Sequence, residues 1–178
     1  MSLNNTMDQQ VESYVRVPYG QAMYGQEEIE AVLKTLQKGT QMGQAVASME
    51  EQVAKLFNKK HGIMVNSGSS ANYLAVEILN LPKGSEVITP ALTFSTTVAP
   101  IVRNNLVPVF VDVEEGTYNI DASKIESAIT SNTKALLIPN LIGNVPDWEK
   151  IHSIAKKHNL IISEDSADTL GATCKGES

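Results

Sequence analysis

The stretch GIMVNSGSSANYLAVEIL, residues 62–79, contains the local pattern on which the fold prediction rests. Its first five residues, 62–66, are mostly apolar and predict a short strand. SSANYLAVEIL (69–79) predicts a helix whose apolar residues share one face, namely Ala71, Leu74, Ala75, Ile78 and Leu79. Between the two lies NSGSSAN (66–72), in which a glycine permits a tight turn. The stretch therefore predicts a strand, a turn and a helix in succession.

The same strand-and-helix unit recurs along the chain. Strands are predicted at 62–66, 86–90, 107–113, 134–139 and 159–163. Amphipathic helices are predicted at 26–37, 46–57, 69–79, 94–105, 121–129 and 147–158. Pro100 is expected to break or kink the fourth of these helices.

The predicted strands are nearly continuous runs of Val, Ile and Leu, which is typical of strands covered on both faces. Together with the alternating helices they predict an α/β fold, with a mostly parallel sheet and helices on both faces. We expect residues 1–24 to form a polar N-terminal arm and residues 25–178 to belong to one large domain. In such sheets ligands bind outside the carboxyl ends of the strands, so the residues after each strand are the functional candidates.

Composition limits the classes of function. The chain has 178 residues, a net charge of −6 and no cluster of basic residues, which disfavours nucleic acid and an anionic membrane surface as partners. No apolar run approaches the roughly 18 residues of a membrane helix, and the start of the chain does not resemble a signal peptide. Cys174 is the only cysteine, which excludes an intrachain disulfide and favours a reducing, cytoplasmic location.

The turn at 66–72 is a candidate phosphate site. Gly68, Ser69 and Ser70 open a predicted helix, whose first N–H groups and dipole favour an anion. A serine-capped strand–helix turn with no ligand explains the same pattern. The turn lacks the lysine of a nucleoside triphosphate loop and the three glycines of a dinucleotide loop, so a small monophosphate fits it better.

Two other strand ends supply an aromatic ring and acidic groups. Phe94 follows the strand at 86–90 and is placed either to stack on a planar ring or to pack in the core. SEDSAD (163–168) follows the last strand, and a carboxylate there suits a pyridine nitrogen, a magnesium ion or solvent. Three predicted strand ends thus carry a candidate phosphate site, an aromatic ring and an acid. Together they indicate a phosphorylated pyridine, pyridoxal 5′-phosphate (PLP).

Several spaced motifs resemble the DegT/DnrJ/StrS family of sugar aminotransferases, which are PLP-dependent enzymes with the aspartate aminotransferase fold. The matching segments cover roughly residues 25 to 176 and are MGQAVASMEEQVAKLF, NSGSSAN, KGSEVITPALTFSTTVAPI, PVFVDVEEGTYNID, SAITSNTKAL and HNLIISEDSADTLGAT.

This resemblance implies specific roles for the candidates. Gly68, Ser69 and Ser70 would bind the cofactor phosphate, Phe94 would stack on the ring, and Asp165 would pair with the pyridine nitrogen. By the same resemblance, Asp168 and Asn140 would lie near the phenolic oxygen of the ring or near the substrate.

The resemblance also implies an activity. It predicts an aminotransferase acting on a nucleotide-linked keto-sugar in polysaccharide or deoxysugar biosynthesis, with an amino acid such as glutamate as amine donor and a homodimer as the assembly. The acid at Asp168 and the Gly143-Asn144 pair resemble instead the family branch of nucleotide-sugar 3-dehydratases, which replace the cofactor-bonding lysine with histidine. A non-catalytic fragment with the PLP fold is a third interpretation, and a nicotinamide-binding domain is disfavoured by the glycine pattern.

The lysine or histidine that bonds the cofactor in this family is expected beyond Ser178, so no catalytic residue is assigned within these residues. The chain by itself is therefore expected to bind PLP weakly and to turn nothing over. His61, His152 and His158 lack the spacing of a helical metal pair, so no metal site is predicted. One cysteine is too few to hold an iron–sulfur cluster.

Overall fold

The computed structural model describes Val15, Pro18, residues 20–41 and residues 43–176. The chain divides into two compact units, with the boundary between Gly43 and Gln44. In the first unit, helix α1 spans Gln26–Lys38 and confirms the helix predicted at 26–37. It begins after Gly25, whose N–H donates to Glu28 Oε2 at 2.6 Å. The predicted division into 1–24 and 25–178 stays a prediction.

The second unit contains a four-stranded parallel sheet in the order β2-β1-β3-β4. Its strands are β1 (Glu86–Pro90), β2 (Val107–Val111), β3 (Thr133–Pro139) and β4 (Ile161–Asp165). Val87 lies beside Pro108 on one side and Ala135 on the other, and Leu137 lies beside Ser163. The parallel sheet predicted from continuous apolar runs is confirmed.

Five helices belong to the same unit. They are α2 (Gln44–Leu56), α3 (Gly68–Glu77), α4 (Ser95–Arg103), α5 (Ala122–Ile125) and α6 (Trp148–His158). The helix predicted at 121–129 is shorter than expected, because α5 tightens into a 3₁₀ turn at Glu126–Ala128. Pro100 does not break α4, which continues to Arg103 with this proline buried.

Two apolar clusters cover the two faces of the sheet, because successive strand residues point to opposite faces. On one face, side chains from β1 and β3 pack with α3 and α4, through Val76, Val87, Ile101, Leu106, Ala135 and Leu137. On the other face the strands pack with α5 and α6, through Ile88, Val111, Ile120, Ala122, Ile125, Leu136, Ile138, Trp148, Ile151, Ile154 and Ala155. Helices therefore lie on both faces, as predicted.

The strand predicted at 62–66 is wrong, since these residues are not in a strand. Ile63 is 82% exposed, and the Met64 N–H donates to Glu50 Oε1 at 2.8 Å rather than to a neighbouring strand. Gly62 allows this close approach, because a Cβ there would lie 2.4 Å from the Glu50 carbonyl oxygen. Apolar content made the segment resemble a strand, but strand geometry requires a paired neighbour.

Within the described residues, no helix is long and apolar enough to cross a membrane. The same residues contain no group of three or more His, Cys, Asp or Glu side chains placed to hold a metal ion.

Candidate cofactor site

The turn before α3 forms an open cup of hydrogen-bond donors. Ser67 is the N-cap of the helix, and its Oγ accepts from the Ser70 N–H at 3.2 Å. The Ser70 hydroxyl lies 3.2 Å from the same oxygen, and the Ala71 N–H donates to the Ser67 carbonyl. Helix geometry leaves the N–H groups of Gly68 and Ser69 without an intrahelical acceptor.

The cup formed by Gly68, Ser69 and Ser70 is open enough to admit a ligand. A Cβ at Gly68 would meet no heavy atom within 4 Å, and Ser69 is exposed. Two free N–H groups and a positive helix end beside a hydroxyl form a donor set suited to a small dianion.

Phe94 lies between the end of β1 and the start of α4. It is the N-cap residue of α4 and is 70% exposed, so its ring does not pack in the core. Of the two alternatives that its sequence position leaves open, the structure favours a ring that is free to stack on a ligand.

Asp165 ends β4 on the face covered by α3 and α4. Its Oδ2 accepts from Asn72 Nδ2 at 2.8 Å and from Thr97 Oγ1 at 3.3 Å. Its Oδ1 lies 3.3 Å from the Ala167 N–H. The half-buried carboxylate is therefore tied to two helices that both begin near it.

These bonds bring three of the predicted groups together. Asn72 lies two residues after Ser70, and Thr97 lies three residues after Phe94. With a rise of about 1.5 Å per helical residue, the serine cup and the ring each lie within about one turn of a residue that touches Asp165. The cup and the ring therefore each lie at the start of a helix that contacts Asp165.

Asn140 lies on the opposite face of the sheet. Its Nδ2 donates to Glu164 Oε1 at 2.7 Å, and its Oδ1 accepts from Trp148 Nε1 at 3.0 Å. The side chain is 4% exposed and is occupied by these contacts, together with Ser166 Oγ at 3.2 Å. The structure does not bring the Asn140 side chain into contact with Asp165.

Asp168 is exposed and holds the turn after β3. Its Oδ2 accepts from the Ile142 N–H at 3.3 Å. The two segments are in ordinary van der Waals contact, since a Cβ on Gly143 would lie 3.8 Å from the Asp168 carbonyl oxygen. In the structure, therefore, this carboxylate contacts protein backbone.

The adjacent acids of SEDSAD do not converge. Glu164 contacts Asn140 and Ser166 on the α6 face, whereas Asp165 contacts α3 and α4. Alternation along a strand separates neighbouring side chains in this way. Glu164 and Asp165 therefore do not act on one ligand together.

A cavity of about 440 Å³ also opens on the α6 side of the sheet. Asn140, Trp148, His152 and Glu164 are among its lining residues, and the candidates Gly68, Ser69, Ser70, Phe94 and Asp165 are not. This cavity is therefore separate from the cup.

Sequence reasoning missed Asn72 and Thr97. The face predicted for α3 is also wrong, since Asn72 and Val76 are buried whereas Leu74 and Ile78 are 42% and 78% exposed. The sequence did contain a signal for Asn72. It lies four residues before Val76, and residues at this spacing share one face of a helix, so the amide lies on the buried face. Thr97 gave no signal, because threonine is ordinary in such a segment.

Comparison with known proteins places the chain among relatives of similar architecture. Residues 23–178 match the model of the DegT/DnrJ/EryC1/StrS aminotransferase family. The dTDP-4-dehydro-2,6-dideoxy-D-glucose 3-dehydratase of Saccharopolyspora spinosa is 39% identical over 167 residues, which are 89% of this chain and 36% of that protein.

Two solved structures resemble the fold closely. A GDP-4-keto-6-deoxymannose-3-dehydratase with a trapped PLP-glutamate geminal diamine is 35% identical with a TM-score of 0.87, over 92% of this chain and 44% of that one. An aminotransferase from Psychrobacter cryohalolentis is 33% identical with a TM-score of 0.84, over 90% and 42%. The chain therefore spans less than half the length of these relatives.

Proposed function

The chain belongs to the DegT/DnrJ/EryC1/StrS aminotransferase family, and from this we propose that it forms the cofactor-binding part of a PLP-dependent enzyme acting on nucleotide-linked keto-sugars. The observation that carries the proposal is the pair of hydrogen bonds from Asn72 and Thr97 to Asp165. Those bonds join the helix that begins with the serine cup and the helix that begins with Phe94 to one carboxylate.

The residues present fit PLP at its phosphate, its ring face and its ring nitrogen. The cup of Gly68, Ser69 and Ser70 offers N–H and O–H donors to a phosphate. The exposed Phe94 ring is free to stack, and Asp165 offers an acceptor to a protonated ring nitrogen. When bound, the cofactor supplies an electron sink that stabilises a carbanion at the substrate.

The chain's own residues bind and orient the group. The cup anchors the phosphate end, the ring of Phe94 fixes the plane of the pyridine, and Asp165 holds a proton at the ring nitrogen. This proton makes the ring electron-poor, so among the residues of this chain Asp165 has the most direct effect on the chemistry.

Amine transfer is the first candidate reaction. The aminotransferase from Psychrobacter cryohalolentis supports it through its structural similarity. Glutamate as donor is supported by the PLP-glutamate adduct in the related dehydratase. We propose that the assembly is a homodimer and that residues 25–178 belong to its large domain.

Removal of the sugar 3-hydroxyl is the second candidate. It is favoured by the 39% identity to the Saccharopolyspora spinosa 3-dehydratase and by the fold similarity to the GDP-4-keto-6-deoxymannose-3-dehydratase. Mass spectrometry of a GDP- or dTDP-linked 4-keto-6-deoxysugar, incubated with PLP, glutamate and the complete enzyme to which this chain contributes the cofactor-binding part, separates the two. Amine transfer replaces the keto oxygen with an amino group, whereas dehydration yields a 3-deoxy product.

A titration with pyridoxamine 5′-phosphate (PMP) tests the cofactor site, because PMP needs no covalent bond to the protein. Asp165→Asn is expected to weaken binding roughly 10- to 100-fold, since hydrogen bonds to charged groups contribute about 1.5–3 kcal/mol. Glu164→Gln is the matched control, because its side chain faces the other side of the sheet. Calorimetry measures both, and equal losses in the two variants would contradict the proposed site.

A further inference from the structure

Two buried side chains donate to one oxygen of Asp165. Asn72 is 9% exposed and Thr97 is 0% exposed, and both reach Oδ2, at 2.8 Å and 3.3 Å. We infer that Asn72 and Thr97 are positioning residues that fix the Asp165 carboxylate so that its Oδ1 faces the ring nitrogen of the cofactor. This inference rests on the proposed function.

The orientation of the Asn72 amide follows from its partners. Nδ2 lies near the Asp165 carboxylate and 3.4 Å from the Thr96 carbonyl oxygen. Both partners are acceptors, so the NH₂ group of the amide must face them. This NH₂ group can only donate, which makes Oδ2 an acceptor and leaves any ligand hydrogen bond to Oδ1.

Pro100 provides the second anchor of that amide. In an α-helix the N–H of residue 100 would donate to the carbonyl of residue 96, but proline has no N–H. The Thr96 carbonyl is therefore available, and Asn72 Nδ2 lies within hydrogen-bond distance of it. The proline that was expected to disrupt α4 instead frees an acceptor that orients Asn72.

Burial protects the hydrogen bonds of Asn72 and Thr97 to Asp165 from replacement by water. With Thr97 fully buried and Asn72 nearly so, water has little access to replace either donor. Removal of a donor then leaves Oδ2 with one hydrogen bond fewer and lets the carboxylate rotate about χ2, a torsion with a broad, weak preference. Oδ1 keeps its contact with the Ala167 N–H at 3.3 Å.

The test uses PMP labelled with ¹⁵N in the ring, bound to the 178-residue chain and followed by NMR over a pH series. The ¹⁵N shift reports whether the ring nitrogen carries a proton. A carboxylate beside the nitrogen stabilises the protonated form and raises the titration midpoint above that of free PMP. Thr97→Val and Asn72→Leu are each expected to lower this midpoint toward the free value and to weaken binding about tenfold.

Thr89→Val is the matched control for Thr97→Val. Thr89 is also fully buried, and its hydroxyl has no hydrogen-bond partner within the described part of the chain. The same isosteric change there is expected to leave the midpoint and the affinity unaltered. Thr97→Ser keeps the hydroxyl and is expected to retain the wild-type midpoint, and circular dichroism verifies that each variant is folded.

The outcomes separate the two proposals. A raised midpoint in the wild type that persists in folded Thr97→Val and Asn72→Leu overturns the positioning role and leaves the proposed function standing. PMP that does not bind the wild type, or binds with the midpoint of free PMP, overturns the proposed function and the inference with it. A raised midpoint that only the two donor variants lower supports both.

Discussion

At the scale of the residue, only part of the network around Asp165 could be predicted from the pattern of residue types. The acid was predicted from its position after a strand, and the serines from their position before a helix. The donors Asn72 and Thr97 were not predicted, because a buried polar residue is recognised by its partner, and these partners are 93 and 68 residues away along the chain. For Asn72, apolar periodicity predicted a different buried face of the helix.

Ile142 is a residue whose backbone conformation disfavours its side chain. It has φ +50° and ψ +33° and is 59% exposed. The left-handed region costs a non-glycine residue about 1–2 kcal/mol, and asparagine tolerates it best among the others. Ile142→Asn is therefore expected to raise the free energy of unfolding by about 1 kcal/mol, measured by urea denaturation.

Ile142→Val is the control for this prediction, because valine is equally β-branched and keeps the strain. If Ile142→Asn is no more stable than Ile142→Val, the positive φ does not store the expected strain.

At the scale of the element, prediction succeeded where local pattern and packing agree. The bounds of β1 match those expected, and α6 begins one residue late because Asp147 caps it by accepting from the Lys150 N–H at 3.1 Å. The segment 62–66 failed because pairing, which makes a strand, is not encoded within the segment. The helix at 121–129 failed at its end, where the chain tightens into a 3₁₀ turn.

A charge cluster joins the 3₁₀ turn after α5 to α6. Glu126 Oε1 lies 2.8 Å from His158 Nε2 and 2.6 Å from Lys157 Nζ. The His158 hydrogen bond, followed by that of Lys157 and its charge, lowers the pKa of Glu126 from 4.5 to about 2. A carboxylate whose pKa is lowered in the folded state stabilises the fold at pH values above its ordinary pKa of 4.5. This stability is lost as pH falls from about 4.5 through about 2.

Glu126→Gln is accordingly expected to lower the melting temperature near pH 6 and to have little effect at pH 2. Thermal unfolding at both pH values measures the difference, which is expected to shrink in high salt. Glu51→Gln is the comparison, since Glu51 pairs with Lys55 within one exposed helix and such pairs contribute little. A Glu126→Gln effect that persists at pH 2 would show that the carboxylate charge is not its cause.

At the scale of the whole molecule, the two sides of the sheet have different roles. The α3–α4 side holds the cup, Phe94 and Asp165. The α5–α6 side holds the larger apolar cluster, the Asn140–Trp148 contact and the separate cavity. The parallel direction of the strands and the sheet edge at which the candidate residues lie were predictable from sequence, because parallel strands end together. Which side each side chain faces was not, because it depends on where each strand begins.

This asymmetry predicts where a bound cofactor protects the backbone from hydrogen exchange. PMP is expected to slow exchange in the first turn of α3, whose free N–H groups would bind phosphate, and around Phe94 at the start of α4. The amides of α5 and α6, on the opposite face, are expected to exchange at unchanged rates. Exchange followed by mass spectrometry of overlapping peptides, with and without PMP, resolves these regions.

Pyridoxamine, which lacks the phosphate, is the matched ligand for this experiment. At saturation it is expected to protect the start of α4 but not the first turn of α3, because only the phosphate occupies the cup. Protection that appears instead around Trp148 and Glu164 would place the ligand in the cavity on the α6 side. Since the two regions lie on opposite faces of one sheet, the peptide pattern distinguishes a ligand held by the Asp165 network from one held on the other side.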